Sequence, residues 1–254
     1  MKKYGKIRLT NGKVSYAVWL KDGQIGLLSE PPWVNDNKII EVIPDTGDIQ
    51  LLAPCNPSKI ICVGLNYRQH AAELDMQLPP EPVIFLKPPS AVIGPGDIIR
   101  YPEQSQRVDY EGELAVVIGH ECKKIDTKAA SRYIFGYTCA NDVTARDLQQ
   151  KDGQWTRAKS FDTFLPLGPY IIKDIDWRDR TIRTTLNGQI KQEAKTDMLI
   201  HSVEALVSYV SQVMTLYPGD VILTGTPEGV GPMLRGDEVS VEIEGLGILI
   251  NKVE

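Results

Sequence analysis

Glu111 and Glu113 stand two residues apart in the run Asp109-Tyr110-Glu111-Gly112-Glu113-Leu114-Ala115-Val116-Val117-Ile118-Gly119. The second half of that run is apolar, rich in β-branched residues and closed by a glycine, which is the pattern of a strand. Side chains alternate across a strand, so the two carboxylates share a face. Like charges placed that close repel, and burying them is costly unless a cation sits between them. A hard divalent cation with oxygen ligands meets that need. Glu111 and Glu113 are therefore candidate metal ligands.

Other segments offer the remaining parts of a reactive site. Asp142, in Asn141-Asp142-Val143-Thr144-Ala145-Arg146-Asp147, sits at a strand end. It can pair with Arg146 one helical turn on, or serve as a third carboxylate. Three carboxylates on one dication leave a charge of about −1 and open positions for water and a chelating, anionic substrate. Lys159 lies in Trp155-Thr156-Arg157-Ala158-Lys159-Ser160-Phe161-Asp162. It is either a solvated surface group or a charge that stabilises a developing oxyanion beside an anionic site. His70 and Glu73 share a face of a short helix; they form either a surface ion pair or a general base with its orienting group. The Gly-rich stretch Thr224-Gly225-Thr226-Pro227-Glu228-Gly229-Val230-Gly231 lacks the Gly-Lys-Ser/Thr ending of a phosphate loop. It is a plain turn, or it presents backbone N–H groups and the Thr226 hydroxyl to a carboxylate.

The elements that must position these groups are mostly short strands. Asn11-Gly12 and Asp22-Gly23 predict hairpin turns between Lys6–Thr10, Val14–Leu20 and Gln24–Leu28. Residues 30–57 turn Pro-, Asn- and Asp-rich and read as the end of a small N-terminal β subdomain and its connection. Strands are expected at Lys59–Gly64, Val83–Leu86, Val108–Ile118, Tyr137–Asn141, Val221–Thr224, Glu238–Glu244 and Ile248–Lys252, and Asn187-Gly188 marks another hairpin. Helices are expected at Tyr67–Met76, at Lys128–Ile134 with Thr127 as N-cap and Gly136 as terminator, and at 199–216, where seven apolar residues share one face. Without a β-helix-β rhythm, the pattern indicates an α+β, β-rich fold and not a Rossmann type. The division expected is a small β subdomain at residues 1–54 and a larger catalytic domain at 55–254.

Composition narrows the class of partner. At 254 residues, with 42% hydrophobic and 24% charged residues, the chain suits one large globule with a small appendage. A net charge of −5 gives no basic footprint for nucleic acid. No apolar run approaches the roughly 20 residues needed to span a bilayer. No apolar signal core follows the basic residues at the start, so a cytoplasmic protein is the expectation. Cys55, Cys62, Cys122 and Cys139 form no CxxC pair and read as reduced, buried thiols. Three histidines, His70, His120 and His201, are too few for a His-rich metal site, which favours oxygen ligands.

Taken in order, these motifs resemble the fumarylacetoacetate hydrolase family, and most closely its short bacterial and archaeal acylpyruvase and hydroxyheptadienedioate-isomerase-like members. The matching pieces are Gly64-Leu65-Asn66-Tyr67 with His70 and Glu73, Phe85-Leu86-Lys87-Pro88, Tyr110-Glu111-Gly112-Glu113-Leu114, Asn141 to Asp147, Lys159-Ser160-Phe161-Asp162 and Thr224 to Gly231. The resemblance covers roughly residues 55 to 254, and more loosely the N-terminal part. It implies a β-roll catalytic domain, usually in a homodimer. It implies a Mg²⁺ site, or one for Mn²⁺ or Ca²⁺, at Glu111, Glu113 and Asp142. Lys159 matches the catalytic lysine, and His70 with Glu73 matches a His-Glu dyad on a mobile lid. Arg146, Gln149 and Thr226 match positions near the substrate, a small 2-oxo acid or dicarboxylate.

Chemistry and resemblance together lead to an enolate mechanism. The metal and Lys159 would stabilise an enolate of a chelating 2-oxo acid. Water activated by His70 and Glu73 would attack the distal carbonyl, and the C–C bond would break with that enolate as leaving group. The expectation is C–C bond hydrolysis of an acylpyruvate or fumarylacetoacetate-like substrate. Oxaloacetate-type decarboxylation and isomerisation of a hydroxymuconate-type dienedioate are the alternatives, since the same enolate serves each. A non-catalytic dicarboxylate-binding protein is a more remote one.

Overall fold

The computed structural model describes residues 1–73 and 80–254, apart from the side chains of residues 70–72. Among the described residues the strands form three sheets. The largest runs Ile39–Pro44, Gln24–Leu28, Val14–Trp19, Lys2–Arg8, Leu165–Lys173, Ile134–Asn141, Gly112–Ile118, Val221–Leu223, Ile60–Gly64, Val83–Lys87. A second holds Gln189–Lys195, Thr181–Leu186, Glu238–Ile243, Gly247–Val253 and Ile98–Ile99. A small third sheet joins Thr144–Ala145, Val108–Tyr110 and Gly231–Met233. The helices are α1 (Arg68–Glu73), α2 (Arg146–Asp152), α3 (Thr156–Lys159) and α4 (Val203–Val213). This is the β-rich architecture expected, with no helix among the described residues long and apolar enough to cross a membrane.

The strand Gly112–Ile118 is buried along its whole length. Leu114, Val116 and Ile118 pack with α4 residues Val203, Leu206, Val207 and Val210 and with Ile182, Val241 and Leu249 of the second sheet. Ala115 and Val117 face the opposite cluster, with Cys62, Leu165 and Leu167. Burial on both faces explains why this strand is a continuous apolar run and not an alternating one.

The expected single strand over 108–118 is in fact two. Val108–Tyr110 pairs with Thr144–Ala145 and Gly231–Met233, whereas Gly112–Ile118 pairs with Ile134–Asn141 and Val221–Leu223. Glu111 falls between them, at a seam where the chain passes from the small sheet to the large one. Gly112 is needed there by close approach: a Cβ on it would lie 2.0 Å from Thr184 Oγ1.

Other boundaries shift for identifiable reasons. The hairpin turns at Gly12 and Gly23 form, with positive φ at both, but the first strand begins at Lys2 and ends at Arg8. Residues 30–57 contain the strands Ile39–Pro44 and Gln50–Leu52. Ile39, Ile40 and Val42 of the first are exposed, so no alternation announces it. Residues 127–133 form a 3₁₀ turn with Asp126 at the N-cap position, and no side chain caps it. Gly136 lies inside the following strand, pressed against the Ile172 carbonyl, and ends no helix. Helix α4 starts only after Ser202, whose Oγ accepts from Ala205 N at 3.3 Å, because Leu199 is drawn into a bridge with Tyr67. The N-terminal strands keep a small core of Ile7, Ala17, Ile25 and Leu27, and Lys2–Arg8 extends the large sheet by pairing with Leu165–Lys173. The four cysteines are free and buried, as expected.

Candidate active site

Glu111, Glu113 and Asp142 come together at the seam. Each offers a carboxylate oxygen, those oxygens lie within 4.8 Å of one another, and all three residues are buried. Main chain and side chain fix them from several sides. Asp142 N donates to Glu111 O at 2.8 Å, and Glu111 N donates to Asn141 Oδ1 at 2.9 Å. Glu113 Oε2 accepts from Gly225 N at 2.6 Å, so the Gly-rich stretch supplies a backbone donor to this carboxylate. Gly225 has φ +101°, and a Cβ there would lie 2.7 Å from Asn66 Cβ. Burial, with Asp142 and Glu111 adding their charge, pushes the Glu113 carboxyl well above the usual carboxylate range.

Three cations answer the carboxylates. Lys159, at the end of α3, is buried and donates to Glu111 Oε2 and to Asp142 Oδ2, both at 2.8 Å. Burial alone would lower its pKa; Asp142 and Glu111 outweigh burial and hold it above the usual lysine value. Arg146, at the start of α2, donates from Nε to Asp109 Oδ2 at 2.9 Å, to Glu111 Oε1, and to Gln149 Oε1 at 2.7 Å. Burial opposes its charge too, and Glu111 and Asp109 overcome it, raising its pKa. The third is Lys87, in Phe85-Leu86-Lys87-Pro88, a residue whose sequence context alone assigns it no role. It ends the strand Val83–Lys87 and donates to Asp142 Oδ1 at 2.6 Å and to Val143 O at 3.0 Å. A lysine closing an apolar strand just before a proline was the available signal.

A cavity of about 260 Å³ opens onto this cluster. Its lining includes the three carboxylates, Lys159, Arg146, Gln149, Thr226, Phe85 and Trp155. The Phe85 and Trp155 rings meet edge to face at 5.1 Å, and Lys159 Nζ lies 5.1 Å from the Phe85 ring centre. Thr226 lines the cavity with a hydroxyl that already has two partners: it donates to Gly112 O at 2.9 Å and accepts from Gln192 Nε2 at 2.8 Å. Gln192 also accepts from Gly112 N at 3.0 Å. It binds the Gly-rich stretch to the seam, a role hidden in the hydrophilic strand Gln189–Lys195. Glu73 of α1 accepts from Gly229 N at 3.1 and 3.2 Å, which places it on the Gly-rich stretch. His70 belongs to α1, but its side chain lies outside the described residues, as does most of the expected lid.

The donor set fits one hard dication. It is all carboxylate oxygen, buried, and narrow enough for metal–oxygen bonds of roughly 2.0–2.6 Å. The Lys159 ammonium shared by Glu111 and Asp142 shows that a cation is favoured there. The charge expected from the sequence changes once Lys87 and Lys159 are counted. With Arg146 balanced by Asp109, two buried lysines against three carboxylates leave one negative charge, and a dication would turn that into one positive charge. Such a site attracts an anion.

Residues 59–254 match the fumarylacetoacetate (FAA) hydrolase C-terminal family, and the chain belongs to it. It is similar to the crystal structure of a 2-hydroxyhepta-2,4-diene-1,7-dioate isomerase from Mycobacterium marinum, at 45% identity and a TM-score of 0.91, covering 100% of this chain and 98% of that one. A fumarylpyruvate hydrolase from Pseudomonas aeruginosa, solved with Mn²⁺ and pyruvate, is 35% identical with a TM-score of 0.74, over 80% of this chain and 91% of that one. A mitochondrial oxaloacetate tautomerase of Rattus norvegicus is 46% identical over 219 residues, covering 82% of this chain and 70% of the relative. The likeness thus reaches hydrolases and isomerases of the family, one of them with a divalent metal bound.

Proposed function

We propose that this chain is a divalent-metal-dependent enzyme that enolises a small 2-oxo acid, with proton transfer at the carbon beside the 2-oxo group as its reaction. The observation that carries this is Lys159, an ammonium held on the cavity wall between Glu111 and Asp142. When bound at Glu111, Glu113 and Asp142, a dication supplies Lewis-acid polarisation of the 2-oxo group. Lys159 places a second positive charge beside the oxygen on which negative charge develops, and it has a proton to give. Phe85 and Trp155 wall the cavity and limit water, which strengthens that charge. The volume of about 260 Å³ suits a short diacid and falls below the range typical of larger ligands. Similarity to an isomerase and to an oxaloacetate tautomerase supports proton transfer as the outcome.

C–C bond hydrolysis of an acylpyruvate is the second reading, favoured by Glu73. Its contact with Gly229 N sets the helix that carries His70 against the Gly-rich stretch whose Thr226 lines the cavity. His70 with Glu73 would then activate the attacking water. The test is a turnover panel of oxaloacetate, acetylpyruvate and a hydroxyheptadienedioate, each with Mn²⁺ and with chelator, with products read by NMR. Mn²⁺-dependent interconversion of tautomers or double-bond isomers without cleavage supports the first reading. Mn²⁺-dependent cleavage that His70→Ala abolishes supports the second, and release of CO₂ marks a decarboxylase. If no substrate changes in a metal-dependent way, the proposal fails.

A further inference from the structure

Asp142 is gripped by two lysines, one on each oxygen, and only one of them lines the cavity. Lys159 holds Oδ2 from the cavity side. Lys87 holds Oδ1 from behind, outside the lining, with its side chain wholly buried. Lys87 also reaches Val143 O at 3.0 Å, so one ammonium binds both the Asp142 carboxylate and the next peptide carbonyl. This fixes the carboxylate relative to its own backbone. Phe164 closes the space around it, its ring centre 6.0 Å from Nζ. Burying an ammonium is costly, and a buried ion pair is a poor source of net stability. A lysine in this place is better explained by what it does to Asp142.

We propose that Lys87 is a positioning residue for the metal centre: it pins Asp142 Oδ1 on the buried side and aims Oδ2 at the site of the cation. The inference rests on the metal-site reading above. It assigns the two lysines different parts. The Lys159 contacts lie on the cavity side of Glu111 and Asp142, so they would compete with a cation bound there. The Lys87 contact lies on the far oxygen and stays. Without Lys87, Asp142 is free to turn toward Lys159, the other cation that holds its carboxylate among the described residues, so a metal must compete harder for a less fixed ligand. Loss of such a supporting partner typically costs about 10–100-fold in metal affinity.

The experiment measures Mn²⁺ affinity by titration calorimetry and by the Mn²⁺ EPR signal, in wild type, Lys87→Met and Lys87→Gln. The rise in Tm on adding Mn²⁺ is recorded for each. The expected result is Mn²⁺ binding weaker by about 10–100-fold in Lys87→Met, with the Mn²⁺-induced rise in Tm shrinking to match. A purely structural lysine would instead lower Tm equally with and without metal and leave the Mn²⁺ affinity intact. Unchanged or tighter binding in the variants overturns the proposal. If neither variant folds, Lys87 is a folding residue and the proposal fails as well. If wild type itself binds no Mn²⁺, the metal-site reading falls first, a result distinct from the other three.

Discussion

Lys159→Met gives two effects of opposite sign, and the structure sets their sizes. Lys159 makes two charge-assisted hydrogen bonds, 2.8 Å to Glu111 Oε2 and 2.8 Å to Asp142 Oδ2. Bonds of that kind contribute about 1.5–3 kcal/mol each. A dication that takes up these oxygens must displace at least one of them. Removing the ammonium removes that competition, and 1.5–3 kcal/mol corresponds to Mn²⁺ binding tighter by about 10–150-fold. The fold should survive, because Glu111 keeps Arg146 and Thr144, and Asp142 keeps Lys87. Turnover at saturating Mn²⁺ should nevertheless fall by about 10²–10³, the usual cost of losing one charge-stabilising donor. The assay is calorimetric Mn²⁺ titration beside steady-state kinetics on whichever 2-oxo acid proves active. Equal or weaker Mn²⁺ binding in the variant would refute the reasoning, since the lysine contacts would then not stand in the cation's way.

Two further outcomes follow from the same cluster. Gly225→Ala forces an L side chain to φ +101° and sets its Cβ 2.7 Å from Asn66 Cβ, costing about 2–5 kcal/mol in strain and overpacking together. For a chain of this size that lowers Tm by about 4–20 °C, and a calorimetric Tm within about 2 °C of wild type would show that the loop relaxes freely. The raised Glu113 pKa means the folded, metal-free protein binds a proton that the unfolded chain releases above the ordinary value of 4.5. Metal-free stability therefore falls as pH rises from that value through the raised one. Mn²⁺ should remove this slope by replacing the proton. Thermal scans from about pH 5 to 8, with chelator and with Mn²⁺, check it, and identical slopes in both would exclude Glu113 as the cause.

The β-rich fold class was readable in the sequence, whereas the exact strand bounds were not. Glu111 and Glu113 were found by their spacing on an assumed continuous strand. They do converge, although the strand breaks between two sheets at Glu111. That break depends on partners far along the chain, Thr144–Ala145 and Gly231–Met233, which no local pattern reveals. Asp142 and Lys159 drew their meaning from neighbours supplied by the fold, since each alone reads as an ordinary surface charge. Lys87 stayed without a part because lysine is normally exposed, and only the packing of Phe164 and Asp142 shows this one buried. Arg146 and Thr226 were placed near the substrate by resemblance. The structure puts both on the cavity wall and gives each internal partners as well. The edge strand Ile39–Pro44 went unseen because Ile39, Ile40 and Val42 are exposed and only Ile43 packs on the small core, against the usual alternation.

The seam at Glu111 has a mechanical consequence. A cation shared by Glu111 and Asp142, in two of the chain links between the small sheet and the large one, and Glu113, inside the large sheet, would act as a rivet between two pieces of β structure. Stripping it should loosen one joint and leave the rest of the framework tight. Amide exchange in chelator would then quicken first at Val108–Tyr110 and Gly231–Met233, while the strand Gly112–Ile118, clamped on both faces, keeps its protection.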